Sequence, residues 1–221
     1  MCGRYTLRNP TGHPWIDPEI AGGVPPRYNI APGQQVLTLG RDREGERVTR
    51  LAHWGFHPHW LPAQRRSPIN ARIEGVADKP LFRRACAAGR CLVPADGWYE
   101  WQARASGSKQ PFFFHRPDDG AFFFAGLAAR DGAGRPTLAI LTRDADPHAA
   151  AVHTRMPVVV PDEEAALGWL DAVDASSALS LLTASTPGAL AIDPVSRRVN
   201  RPENDDPACV RVQREEPGDE V

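Results

Sequence analysis

The sequence has few lysines, no long apolar run and no paired cysteines of the kind that bind metal. Its strongest apolar stretches, residues 111–114 and 121–125, are far shorter than the roughly 20 residues of a transmembrane helix, so no membrane span is expected. The N-terminal residues show no basic stretch followed by an apolar segment. No secretory signal is therefore predicted, and the cytoplasm is the expected compartment.

The four cysteines form no Cys-x-x-Cys motif, and Cys86 and Cys91 have no second pair nearby. Neither a zinc site nor a disulfide is predicted from this spacing in a chain without an export signal. The sequence also lacks a Ser-His-Asp pattern and a phosphate-binding glycine loop. We therefore expect no metal and no cofactor, with Cys86 and Cys91 as small core residues.

Charge is unevenly distributed along the chain. The formal net charge is −1, but residues 203–221 hold seven acids and two arginines, which leaves residues 1–202 with a net positive charge. Only two basic residues are lysines, and arginine matches phosphate better than lysine does. A codon bias explains the number of arginines equally well, so their positions are more informative. We predict a single domain at residues 1–202 and an acidic, disordered tail at 203–221.

Short apolar segments separated by turns predict an α+β fold: a single compact domain with a curved, barrel-like, mostly antiparallel sheet flanked by a few helices. The loop at residues 56–68 is long enough to be functional. Strands are predicted at 3–8, 35–41, 47–54, 90–94, 98–103, 112–115, 122–127 and 137–142. Helices are predicted at 18–21, 79–88, 144–152, 162–170 and 176–183.

Cys2 follows Met1, which is normally removed when the second residue is small. A terminal cysteine carries an amine and a thiol on adjacent carbons, and both are partly nucleophilic near neutral pH. Such a 1,2-aminothiol forms a Schiff base with an aldehyde and then closes a five-membered thiazolidine ring. An internal cysteine cannot do this. The alternative is that cysteine stands at this position by chance.

Three segments supply candidate partners for this chemistry. Asn70 and Arg72 alternate, so they face the same side of an extended chain. Glu100 lies between aromatic residues, where desolvation raises a carboxyl pKa toward the range of a general acid-base. His153 and Arg155 precede an apolar strand. A solvated strand face for Glu100 and a structural role for His153 remain the alternatives.

Arginines and aromatics interleave near these segments, a combination typical of single-stranded nucleic acid binding. The alternative is that the tryptophans fill the core, which we expect for Trp98, whereas Trp54 is expected to be exposed because it precedes the long loop. The residues concerned are Arg4, Trp54, Trp60, Arg65, Arg66, Arg72, Trp101 and Arg155.

Taken together, six segments in this order resemble the SOS response-associated peptidase (SRAP) family. Each is weak alone, but they span residues 1 to about 160. Thr154 departs from the residue that many relatives have at this position, without putting a catalytic role in doubt. The segments are Met1-Cys2-Gly3-Arg4-Tyr5, Tyr28-Asn29-Ile30-Ala31-Pro32, Trp54-Gly55, Asn70-Ala71-Arg72-Ile73-Glu74, the run from Arg90 to Trp101, and His153-Thr154-Arg155-Met156-Pro157.

The resemblance implies an abasic-site processing protein that binds single-stranded DNA and shields the lesion in the DNA damage response. Cys2, freed of Met1 by possible autoproteolysis, would be the nucleophile that crosslinks to the ring-opened abasic aldehyde as a thiazolidine. Asn70 would orient the Cys2 amine and the opened sugar. Glu100 would act as general acid-base, and His153 would protonate the sugar ring oxygen.

The resemblance also implies a basic groove in which arginines hold phosphates and tryptophans pack on bases. The expected protein is a monomer, associated with the nucleoid when bound to DNA, and weak lyase activity is a plausible by-product of the Schiff base. Two rival interpretations remain open: a cysteine-type autopeptidase acting on protein substrates, and a non-covalent single-stranded DNA binding module. The groove residues are Arg4, Arg72 and Arg155 for phosphates, with Trp54 and Trp101 for bases.

Overall fold

The structure, a computed structural model, describes residues 2–13, 15–105, 107–184 and 187–213. In these ranges, thirteen strands form two β-sheets, and five helices flank them. The strands are β1 (Tyr5–Leu7), β2 (Arg27–Ile30), β3 (Gln35–Arg41), β4 (Arg47–Trp54), β5 (Asn70–Arg72), β6 (Arg90–Ala95), β7 (Gly97–Ala103), β8 (Lys109–His115), β9 (Phe122–Arg130), β10 (Pro136–Asp144), β11 (Arg155–Pro157), β12 (Val159–Val160) and β13 (Ala191–Pro194). The helices are α1 (Pro18–Gly22), α2 (Arg83–Ala88), α3 (Pro147–Ala150), α4 (Glu163–Asp171) and α5 (Ala175–Ala184).

The larger sheet closes on itself. Its strands run in the order β10-β4-β3-β6-β9, and β9 pairs again with β10. Pairings in this ring are antiparallel except for β10 with β4, where Leu138 lies beside Trp54. The smaller sheet has the order β13-β8-β7-β1-β2 and is antiparallel throughout. The predicted α+β fold with a barrel-like sheet is confirmed.

A cluster of aromatic rings fills the space between the two sheets. Tyr5 meets Trp54 edge-on with ring centroids 5.4 Å apart, and Trp98 stacks on Phe114 at 4.9 Å. Trp98 is fully buried, as the sequence predicts. Trp54 is fully buried as well, and its indole nitrogen donates to the carbonyl of Ile69 at 2.9 Å. Its predicted exposure is wrong because its neighbours are apolar and its one polar atom is satisfied internally.

Aspartates begin α1, α3 and α4 by accepting hydrogen bonds from otherwise unpaired backbone amides. Asp162 caps α4 through the amide of Ala165 at 2.9 Å. The helix predicted at residues 144–152 is reduced to the single turn α3, because β10 continues to Asp144 and Asp146 caps the turn that follows. No helix in the described ranges is long and apolar enough to cross a membrane.

The predicted acidic tail begins inside the folded part of the chain. Residues 203–213 lie against the smaller sheet, with a 3-10 turn at Pro207–Val210 and a buried Cys209. Asp205 accepts hydrogen bonds from the backbone amides of Tyr28 and Asn29 at 2.5 and 2.8 Å. The predicted disorder therefore does not hold for residues 203–213, because Asp205 in this segment satisfies backbone groups of β2. Residues 214–221 lie outside the described residues.

His13 gives this fold a measurable dependence on pH. It is 4% exposed, neither ring nitrogen has a hydrogen-bond partner among the described residues, and its ring meets Phe123 edge-on. Burial lowers its pKa to about 4. An unfolded histidine takes up its proton near pH 6.5, so stability is full above that pH and is lost as pH falls toward 4. The total loss is about 3 kcal/mol.

Replacing His13 with leucine tests this expectation. The variant lacks the titrating ring, so the difference in unfolding free energy between it and wild type is expected to change by about 3 kcal/mol from pH 7 to pH 4. Denaturant unfolding at several pH values measures that difference. Two curves that stay parallel over this range would exclude a neutral, buried His13.

Candidate active site

Cys2 lies at the beginning of the chain, inside the protein. β1 pairs with β7 so that Tyr5 stands opposite Trp98, and the amide of Tyr99 donates to the carbonyl of Arg4 at 3.0 Å. Extending this antiparallel register places Cys2 beside the Glu100 end of β7. The Cys2 side chain is fully buried. Pairing between β1 and β7, which are far apart in sequence, thus holds the chain start in a defined position.

Asn70 contacts Cys2 directly from the larger sheet. It is the first residue of β5, which pairs in parallel with β10 beside Ile140. Its Nδ2 donates to the Cys2 carbonyl at 2.8 Å, while its Oδ1 is buried without a hydrogen-bond partner among the described residues. Asn70 therefore fixes the backbone of Cys2 and keeps an unused acceptor next to it.

Glu100 supplies a buried carboxyl group close to Cys2. It is 3% exposed, and this burial raises its pKa to about 7. Burial also raises the pKa of the Cys2 thiol well above its ordinary value, and the negative charge of Glu100 raises it further. At neutral pH the thiol therefore keeps its proton, whereas Glu100 is close to half protonated. A carboxyl group in that state serves as both proton donor and proton acceptor.

His153 approaches the same end of β7 from the loop after α3. Gln102, on the same face of β7 as Glu100, donates its Nε2 to the carbonyl of Ala151 at 2.7 Å and fastens this loop to the strand. The Nδ1 of His153 lies 3.0 Å from the amide nitrogen of Arg155 and 3.2 Å from its carbonyl oxygen, so the Arg155 backbone holds the ring without fixing its tautomer. Burial lowers the pKa of His153, so the neutral form prevails at neutral pH.

Comparison with known proteins decides the family. The family model described as SOS response associated peptidase (SRAP) matches residues 1–202. The chain belongs to the SRAP family. Within the described ranges, no three His, Cys, Asp or Glu side chains are positioned to hold a metal ion together.

Individual relatives of this SRAP chain cover nearly its whole length. It is 32% identical over 223 residues to the abasic site processing protein YoqW of Bacillus subtilis, covering 95% of this chain and 99% of the relative. It is 33% identical to the abasic site processing protein YedK of Escherichia coli, covering 92% and 96%. A crystal structure of a phage-related protein from Bordetella bronchiseptica matches 89% of this chain and 95% of that one, with TM-score 0.74 and 33% identity.

The SRAP structure brings Asn70 and Glu100 to Cys2 and places His153 on a loop tied to β7, but it uses the predicted phosphate ligands differently. Arg4 donates to backbone carbonyls and to Asn29. Arg155 is paired with the carboxylates of Glu74 and Asp144 at 2.8 and 2.6 Å. Arg72 is exposed and has no hydrogen bond or ion pair among the described residues. Of the three arginines, Arg72 is the one whose guanidinium is open to a phosphate.

The two tryptophans predicted to pack on bases also differ from each other in exposure. Trp54 cannot stack on a base because it is fully buried, so its predicted place in the groove is wrong. Trp101 is half-buried, and its indole nitrogen donates to Asn200 Oδ1 at 2.8 Å. The exposed aromatic of the long loop is Trp60, with 48% of its surface accessible. Its flanking prolines and neighbouring arginines were the available signal for it in the sequence.

Proposed function

We propose that this SRAP protein binds single-stranded DNA at abasic sites and captures the lesion covalently through mature Cys2. One observation carries the proposal: Cys2 is buried beside the Asn70 amide and the Glu100 carboxyl group, whose pKa is near 7, with the His153 loop tied to the same strand. These are the groups that aminothiol condensation with an aldehyde requires. The proposal is also supported by YoqW and YedK, both named abasic site processing proteins.

The first step opens the abasic sugar. His153, in its protonated form, gives a ring proton to the sugar ring oxygen as the bond from that oxygen to C1 breaks. The C1 hydroxyl gives its proton to Glu100, and C1 becomes an aldehyde. A partly ionised carboxyl group accepts this proton at neutral pH, and because burial lowers the pKa of His153 its protonated, proton-donating fraction grows as pH falls.

The second step joins the aldehyde to Cys2 after Met1 has been removed. The α-amine attacks C1, and loss of one water, assisted by the proton on Glu100, leaves a C=N bond. The thiol then adds to the same carbon: the S–C bond forms, the π electrons move to nitrogen, and the thiol proton reaches nitrogen through Glu100. Because burial and Glu100 hold the Cys2 pKa high, the thiol reacts as this proton is taken.

Exposed cations and one exposed ring supply the DNA surface beside this centre. Arg72 follows Asn70 by two residues, and the loop that precedes Asn70 carries Trp60, Arg65 and Arg66 with exposed side chains. Guanidinium groups bind phosphates and stacking rings hold unpaired bases without sequence preference. In the proposal this surface holds the strand while the lesion enters the Cys2 pocket.

Intact-mass measurement before and after incubation with an abasic single-stranded oligonucleotide tests the proposal. Mature protein is expected to lack Met1 and to gain the mass of the oligonucleotide less one water, whereas an undamaged oligonucleotide gives no adduct. A protein that binds the abasic strand without any gain in mass would indicate a non-covalent binding module. Cleavage of peptides in trans, with abasic DNA ignored, would indicate a peptidase.

A further inference from the structure

A C-terminal strap, defined as residues 195–212, covers the edge of the smaller sheet next to Cys2. Backbone pairing between Val195 and Val212 closes it into a loop. Asp205 fastens it to β2 by accepting from the amides of Tyr28 and Asn29 and by pairing with Arg27. The strap is therefore bound to the sheet by a carboxylate that satisfies an otherwise open strand edge.

Asn29 holds the strap from inside the protein. It is fully buried, and its Nδ2 lies within hydrogen-bond distance of three strap carbonyls: Val199 at 3.2 Å, Arg201 at 3.0 Å and Asn204 at 2.7 Å. A buried amide that contacts three carbonyls of one loop fixes the path of that loop.

Arg4 connects the strap to the chain start. Its Nη1 donates to Asn29 Oδ1 at 3.1 Å and to the carbonyl of Val199 at 2.6 Å, and its Nη2 donates to the carbonyl of Asn200 at 3.2 Å. Arg4 is two residues from Cys2. The same Asn200 accepts from Trp101, the neighbour of Glu100 in β7. Asn200 of the strap therefore contacts both Arg4, two residues from Cys2, and Trp101, the neighbour of Glu100.

We propose that Arg4 is a positioning residue, which together with the strap sets Cys2 in register with Glu100, rather than a ligand of a DNA phosphate. This inference rests on the proposed function and adds an element to it. Three of the five N–H groups of the guanidinium are already donated within the protein. A displacement of about 1 Å between reacting groups costs about 100-fold in rate, so loosening this connection slows capture without weakening DNA binding.

Two measurements on each variant separate positioning from phosphate binding. The first is the salt dependence of affinity for single-stranded DNA with a stable abasic analogue that lacks the aldehyde. The second is the single-turnover rate of adduct formation at saturating abasic DNA. Losing one phosphate contact reduces the slope of log K against log salt by about 0.7, whereas a positioning residue leaves that slope unchanged.

Arg4→Gln is expected to keep the wild-type salt slope and to lose about 10- to 100-fold in crosslinking rate. Arg4→Lys keeps the charge but cannot reach both carbonyls, so it is expected to lose rate similarly. Asp205→Ala, which loosens the strap at a point away from Cys2, should slow crosslinking in the same way.

Arg72→Gln should instead reduce the slope of log K against log salt by about 0.7. Arg116→Gln, which removes an exposed arginine paired with Asp118, is the matched control and should change neither quantity.

The outcomes distinguish this inference from the proposed function. If wild type forms no adduct, the proposed function itself fails. If wild type reacts while Arg4→Gln shows a smaller salt slope and an unchanged rate at saturation, Arg4 is a phosphate ligand and the inference is overturned. Thermal unfolding of each variant establishes that the rates compare folded proteins, and Arg4→Lys supplies the comparison if Arg4→Gln does not fold.

Discussion

Cys2→Ala is expected to abolish the stable DNA adduct completely while leaving DNA affinity near the wild-type value. The variant still presents an α-amine after Met1 removal, so it still forms the C=N bond with the opened sugar. Without sulfur the ring cannot close, and the imine hydrolyses or undergoes elimination with strand cleavage. We therefore expect the variant to replace permanent capture with a transient imine and increased strand cleavage.

Two assays on the same reaction check this expectation. Denaturing gels report the stable adduct, which should be absent, and sodium borohydride, which reduces the imine to a stable amine, should recover a crosslinked band. Cys86→Ala is the matched control, because Cys86 is a buried cysteine in α2, outside the site. A full yield of stable adduct from Cys2→Ala would exclude thiazolidine formation at this residue.

Glu100→Gln is expected to slow crosslinking by about 100-fold or more, because proton transfer at both steps depends on this group. The wild-type rate should change around pH 7, where Glu100 titrates, and the variant should lose that dependence. Glu44→Gln, in the exposed turn between β3 and β4, is the control for removing a carboxylate. If Glu100→Gln keeps the pH dependence of the wild-type rate, a group other than Glu100 is the general acid-base.

The same substitution is expected to stabilise the folded protein. The folded pKa of Glu100 is raised from 4.5 to about 7, so the folded state binds the proton more tightly than the unfolded state does. Stability is therefore lost as pH rises from about 4.5 to 7, by about 3 kcal/mol in total. Glutamine carries no charge and avoids this cost. Denaturant unfolding at pH 8 should show the variant more stable, with the difference disappearing near pH 4.5.

Local patterns in the sequence predicted much of the fold. Strands β3 and β4 are found at residues 35–41 and 47–54 as predicted, because their apolar residues lie on either side of a polar turn. Strands β2, β5, β11 and β13 were not predicted. They are short, and they become strands only through pairing with distant partners, as β5 does with β10.

For the site, the family resemblance predicted the surroundings of Cys2 better than it predicted the groove. Asn70 was expected next to Cys2, and the hydrogen bond between them is present. Trp54 and Arg4 were assigned to DNA because aromatic and basic residues are typical of its ligands. Burial decides their use instead: Trp54 packs in the core and Arg4 binds carbonyls 195 and 196 positions away. No local pattern reveals partners at that separation.

The hydrogen bond between Arg4 and Val199 has a consequence for the protein during its synthesis. It joins the fourth residue to one 195 positions later. The beginning of the chain leaves the ribosome first but cannot reach its final setting until almost the entire polypeptide has been made. Nascent chains and fragments that stop before residue 199 lack this contact, so under the proposed mechanism we expect them to capture aldehydes poorly.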